Sequence, residues 1–220
     1  MWCIPTLTPE FIERMEKLLA LYEKPYNRDE PVICFDEKSK ELHADTRPVI
    51  YAKECRPSKR DYEYRRNGVA NIFLAVEPKG GRREVRVTKR RTKRDFACEI
   101  QRITLLPCYK MAKKIHLVLD NLNTHFEKSL RETLPTVEAN RILKKICFHY
   151  TPKHASWLNM AEIELSILSR QALSGRTKDK SELNTRIRRW KCARNKKKAM
   201  IHWRFTRKDA RNVFKYKAQN

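Results

Sequence analysis

Three short apolar runs constrain this chain more than any other feature. Val32-Ile33-Cys34-Phe35 leads into Asp36, and Ile115-His116-Leu117-Val118-Leu119 leads into Asp120. A third run, Ile146-Cys147-Phe148-His149-Tyr150, is followed by Glu162 at the start of a predicted helix. A strand that is apolar at successive positions is covered on both faces. Two strand-end carboxylates and one on a following helix can converge at one edge of such a sheet.

The remaining elements follow from local chemistry. Thr8-Pro9-Glu10 supplies a capping hydroxyl, a proline at the first helical position and an acid near the positive end of the dipole. Phe11, Ile12, Met15, Leu18, Leu19 and Tyr22 continue at helical spacing until Lys24-Pro25. Arg47 to Tyr51 offers a short strand. Residues 61–76 read as a hairpin turning at Asn67-Gly68, and Pro78 through Gly81 turns the chain again before the alternating strand Glu84-Val85-Arg86-Val87-Thr88. Thr92 and Asp95 form a capping box for a helix to about Leu106, ended by Pro107. Strands at 115–120 and 146–150 alternate with helices at about 127–133, 138–145, 159–173 and 179–196, and a short helix follows Thr206. Hairpin-linked strands followed by alternating helix and strand imply an α/β three-layer architecture, a mixed central sheet with helices on both faces.

Charge speaks to partners. Lys and Arg number 50 against 26 acids, a formal charge of +24, which favours a polyanion such as nucleic acid through counterion release. Nine of the sixteen residues from Lys79 to Arg94 are basic, as are seventeen between Arg176 and Lys217, where only three acids stand. With so few local partners for ion pairing, phosphate contact is the favoured use of these charges. Trp190, Trp203 and Phe205 among them are assigned to core anchoring rather than base stacking. No apolar run approaches the roughly 20 residues of a membrane span, and the N-terminus has no signal-peptide pattern. Seven scattered cysteines without a CxxC motif fit a reducing cytoplasm. Cys147, His149 and His154 lack a suitably spaced fourth residue for zinc, so ordinary burial is expected of them.

Taken singly, the acids are weak signals. Asp36 and Asp120 could merely cap turns, Glu37 leaves the opposite face of its strand, and periodicity does not choose between Glu162 and Glu164. Together, carboxylates on rigid elements suit Mg²⁺, which prefers hard oxygen ligands, and two such ions can serve an in-line displacement at phosphorus.

The segments VICFDE (32–37), LVLDNLNTH (117–125) and HYTPKHASWLNMAEIELSILSRQAL (149–173) resemble the three catalytic blocks of DDE-superfamily transposases, in particular the bacterial insertion sequence 630 family related to the mariner elements. DYEYRRNGVANIFLAVEP (61–78) and HWRFTRKDAR (202–211) resemble the same family. The resemblance implies a ribonuclease-H-like fold and metal-dependent DNA cleavage and strand transfer at terminal inverted repeats, usually into a TA dinucleotide. It implies Asp36, Asp120 and Glu162 as catalytic acids holding two Mg²⁺ or Mn²⁺ ions. Asn121, Asn123, His125, His154 and Asn159 would support the site or touch DNA, and Ser156 and Trp157 would shape the groove, although helix capping suits Asn121 and Asn123 and packing suits Trp157. Arg86, Lys89, Arg90 and Arg91 are candidate DNA contacts. The implied partners are element ends and target DNA, bound by a homodimer in the cytoplasm, with nucleoid association on DNA. The expected organisation is a helix and connector (1–30), the catalytic domain (31–175) and a basic helical extension (176–220). Full-length family members carry N-terminal helix-turn-helix modules, and about thirty residues leave no room for them here. The expectation is therefore a truncated catalytic domain. The alternative is an idle remnant that binds DNA nonspecifically or inhibits an intact transposase.

Overall fold

The computed structural model describes residues 7–122 and 124–216. Helix α1 (Pro9–Glu23) starts where the caps require, with the Thr8 hydroxyl accepting from the Phe11 amide at 3.1 Å. Strands β1 (Val32–Asp45), β2 (Tyr64–Glu77) and β3 (Arg82–Thr88) then form an antiparallel meander. Helices α2 (Lys93–Leu105) and α3 (Pro107–Lys110) lead to β4 (Ile115–Leu119). Helices α4 (Glu127–Thr133) and α5 (Thr136–Lys145) precede β5 (Ile146–Tyr150). A 3₁₀ turn at Ser156–Leu158 enters α6 (Met160–Ala172), followed by α7 (Lys180–Lys196) and α8 (Arg207–Phe214). The sheet order is β3-β2-β1-β4-β5, with β1, β4 and β5 parallel.

Alternation along the strands sorts the core into two layers. Ile33, Phe35, Phe73, Ala75, Leu117 and Leu119 pack under α2 and α5 with Phe96, Ile100, Ile103 and Ile142. Cys34, Ile72, Leu74, Val76 and Val118 face α1, α6 and α7 through Met15, Leu18, Leu165, Leu168, Leu183 and Ile187. This is the three-layer α/β architecture expected from the pattern.

Two local expectations fail for tertiary reasons. Asp36 does not end its strand. β1 runs on to Asp45 because β2 pairs with it throughout, and only the parallel neighbour β4 stops level with that point. Asn67-Gly68 is not a hairpin turn either. Both residues lie within β2, where the register with β1 shifts between Glu41 and His43 and Gly68 adopts φ 84°. A glycine at positive φ inside a paired strand marks a bulge, so long-range pairing with β1 overrides the local turn signal. Between β1 and β2, Arg47 to Tyr51 contributes only an isolated bridge, Ile50 to Lys59.

The basic extension is tied down by acids remote in sequence. Arg207 pairs with Glu23, Arg211 with Glu16, Lys191 with Glu84 and Arg176 with Asp45. The local shortage of acids therefore overstates the free positive charge. Trp190 is buried and donates its indole N–H to Gln171. Trp203 and Phe205 pack against the core, and Trp157 is partly exposed and stacks on Trp203. The aromatic residues thus act chiefly in packing. Among the described residues no helix is long and apolar enough to cross a membrane.

Candidate active site

Three elements deliver one carboxylate each to a shared groove. Asp36 projects from the α6 face of β1, Asp120 follows directly on β4, and Glu162 stands in the first turn of α6. All three line an open cavity of about 460 Å³ whose walls include Lys38, Ser166, Ser169 and Arg170. Asp36 is nearly buried, whereas Glu162 is exposed.

Electrostatics at the groove are those of a crowded acidic site. Burial, together with the charges of Asp120, Glu162 and Glu37, pushes the Asp36 carboxyl up to about 7, although it accepts a hydrogen bond from the Glu37 amide. The donor set is hard oxygen, and the residual repulsion is what a divalent cation relieves. The three residues therefore fit such an ion chemically. They do not form a closed single-ion cage: among the described residues, the only three potential ligands that lie mutually within 4.8 Å are elsewhere, at the far end of β4.

His125 braces the second acid. Its Nδ1 lies 2.6 Å from Asp120 Oδ1 and its Nε2 lies 2.7 Å from Glu37 Oε2, with the ring buried between Phe35 and Phe96. Burial alone would depress the imidazole. The two carboxylates outweigh it and raise the pKa to about 9, so the ring is a cation holding both oxygens. Burial likewise works against ionised Asp120, and the hydrogen bond from His125 more than compensates, lowering its pKa. Because Glu37 points to the α2 face, this bridge passes under the end of β4 from one layer to the other. Strand alternation foretold the direction of Glu37 but not its partner.

Asn159 joins the first acid to the third. Its Nδ2 donates to the Phe35 carbonyl at 2.9 Å, one residue before Asp36, and its Oδ1 accepts from the Ala161 amide to cap α6. A fully buried amide thereby fixes the helix that carries Glu162 against the strand that carries Asp36. Asn121 takes a similar role rather than capping the next helix: it accepts from Arg14 at 3.0 Å and donates to the Thr151 carbonyl at 2.5 Å. Arg14, on α1, carried no signal of this in the sequence.

Other candidates fall further out. His154 is exposed with φ 63° and does not line the groove. Asn123 lies outside the described residues. Lys89, Arg90 and Arg91 are exposed at the end of β3, and Arg91 comes within 3.9 Å of Glu37. Arg86 turns to α2 and meets Glu99 at 3.5 Å.

Glu164 parts company with Glu162. Its carboxylate is buried and receives four hydrogen bonds of 2.8–3.0 Å from Arg83 and Arg194. Periodicity along the chain did not separate the two acids; the family resemblance alone pointed to Glu162. The structure shows that α6 turns one to solvent and the other into a bed of guanidinium groups.

A mixed five-stranded sheet between two helical layers, with an acidic groove beside β1 and β4, is the ribonuclease-H-like architecture. A model of the DDE superfamily endonucleases matches residues 31–184, and the chain belongs to that superfamily. Solved structures similar to it include the Mos1 mariner paired-end complex with Mn (TM-score 0.58, 14% identity, 90% of this chain and 60% of that one). A pre-cleavage Mos1 transpososome matches with TM-score 0.55 at 14% identity over 90% of this chain and 64% of that chain. The Mos1 strand transfer complex gives 0.54 at 15% identity over 88% and 57%. The chain thus spans about 60% of the length of the first of these transposases. Comparison with curated proteins finds no match.

Proposed function

We propose that this chain is the catalytic domain of a transposase of the insertion sequence 630 family, which cleaves DNA strands and transfers them with the help of Mg²⁺ or Mn²⁺. The observation that carries the proposal is the convergence of Asp36, Asp120 and Glu162 on one groove with Asp36 pushed up to about 7. These three residues would hold two ions, which supply charge neutralisation and Lewis acidity at the phosphodiester. The protein's own part is positional. His125 and Glu37 fix the Asp120 carboxylate, and Asn159 sets the spacing of β1 and α6. Such bracing matters because misplacement of a reacting group by a fraction of an ångström erodes the rate.

The substrate would be DNA at the terminal inverted repeats of a mobile element and at its target, engaged by a homodimer. The strongly basic composition and the exposed Lys89, Arg90 and Arg91 at the end of β3 favour phosphate contacts. The residues 1–30, 31–175 and 176–220 would act as connector, catalytic unit and stabilising extension.

The test is incubation of the chain with Mg²⁺ or Mn²⁺ and nicked or inverted-repeat DNA. Metal-dependent cleavage that disappears in Asp120→Asn is expected. Salt-sensitive DNA binding without cleavage would support the remnant reading instead, and cleavage unchanged by Asp120→Asn would sink the assignment.

A further inference from the structure

A second group of metal-type side chains lies at the opposite end of β4. The parallel register sets His116 beside Cys147, with His149 two residues along β5, beside Val118. Alternation puts all three side chains on the α1 face of the sheet. Their donor atoms lie within 4.8 Å of one another, and His116 Nδ1 is 2.9 Å from His149 Nε2. The site is thus assembled by strand pairing from residues 31 and 33 positions apart, which is why spacing along the chain conceals it. It sits about 13 Å along β4 from Asp120, reckoned from His116 at the rise of a strand residue, and shares no residue with the acidic groove.

We propose that His116, Cys147 and His149 form a binding site for a borderline-soft transition metal of the Zn²⁺ class, with a fourth position open to solvent. Two imidazoles and a thiolate suit such a metal and not Mg²⁺, which takes oxygen ligands. Tetrahedral zinc with bonds of about 2.0–2.3 Å needs donor separations of roughly 3.3–3.6 Å. The two rings must therefore separate by a few tenths of an ångström, exchanging their mutual hydrogen bond for two metal bonds. His116 and His149 are each partly buried. Cys147 is exposed on the edge strand, so the metal has an entry path. A metal here would staple β4 to β5 at an edge of the sheet.

Cobalt(II) titration of the full chain under reducing conditions tests this, because a thiolate ligand gives a charge-transfer band that carboxylates and imidazoles do not. The Asp120→Asn, Glu162→Gln double variant is titrated in parallel to remove the acidic groove from consideration. One Co²⁺ bound with that band in both chains, bleached by added Zn²⁺, is expected. Cys147→Ser, a change at an exposed position, should abolish the band, and His149→Ala should weaken Co²⁺ binding by ~10-fold or more, since even outer partners of a ligand are worth that much. No thiolate band in the unmodified chain, or a band that survives Cys147→Ser, overturns the proposal. The readout is independent of DNA cleavage, so it stands or falls apart from the transposase reading.

Discussion

Glu162 and Glu164 stand two residues apart on α6 and mark two regions built on opposite electrostatic plans. On the α7 side, Glu164 is saturated by Arg83 and Arg194, and Asn195 completes the attachment by pairing its amide with the Arg83 backbone at 2.8 and 2.9 Å. The carboxylate charge there is neutralised inside the chain by two guanidinium groups, and the edge of β3 is covered. On the groove side, Asp36 and Glu162 enter no ion pair among the described residues, and only Asp120 is held, by His125. Neutralised charge fixes an element in place. Charge left over is available to a cation from outside.

The sharpest way to break this comparison is to exchange the roles of the two acids. Glu162→Gln should lower Mg²⁺-dependent cleavage by about 10³-fold, the equivalent of roughly 4 kcal/mol of transition-state stabilisation by metal. It should leave the urea midpoint nearly unchanged, because an exposed substitution costs within about 0.5 kcal/mol. Glu164→Ala should do the reverse and cost about 3–5 kcal/mol of stability in urea unfolding, because two guanidinium groups lose their partner, one of them fully buried. A Glu164→Ala chain as stable as the original would show that the arginines are solvated and that the contrast is false.

A smaller effect sharpens the groove side. Glu37→Gln removes the charge behind His125 without touching the three acids, and isothermal titration should register a loss of metal affinity of about 10- to 100-fold, as for other partners of a ligating group. Unchanged affinity would reduce the His125 bridge to a packing feature.

The smallest expected effect concerns acid. Burial would raise the Glu164 pKa, but the hydrogen bonds and charges of Arg83 and Arg194 prevail and lower it. A group depressed in the folded state contributes stability above its unfolded value of 4.5 and loses it as pH falls through the lower folded value. Urea midpoints measured from pH 6 down to pH 3 should therefore decline more steeply for the original chain than for Glu164→Ala. Parallel curves would remove Glu164 as a source of acid lability.

Much of the fold was legible because its signals are local. The capping box at Thr92, the proline after Thr8 and the apolar stripes act within one or two helical turns, and the helices begin where those signals place them. The hairpin reading at Asn67-Gly68 failed because β1 competes for the same backbone groups, and only the assembled sheet decides that competition. The reading of the C-terminal charges missed Glu16, Glu23, Asp45 and Glu84 for a related reason: ion-pair partners are chosen by packing. Arg14 beside Asn121 and Glu37 beside His125 were hidden in the same way.

By itself the sequence determined the layered α/β plan, the location of its buried strands and the short stretches from which an acidic centre had to be drawn. Periodicity and capping are read from residues a few positions apart, so no tertiary knowledge was needed. The tertiary structure alone decided that Glu164 is buried between Arg83 and Arg194, that His125 reaches across 88 residues to Glu37, that Asn159 reaches across 124 to Phe35, and that His116 meets Cys147. Those choices rest on strand register and helix rotation, which are set when the two core layers close against the sheet and each side chain meets whatever the opposite element presents.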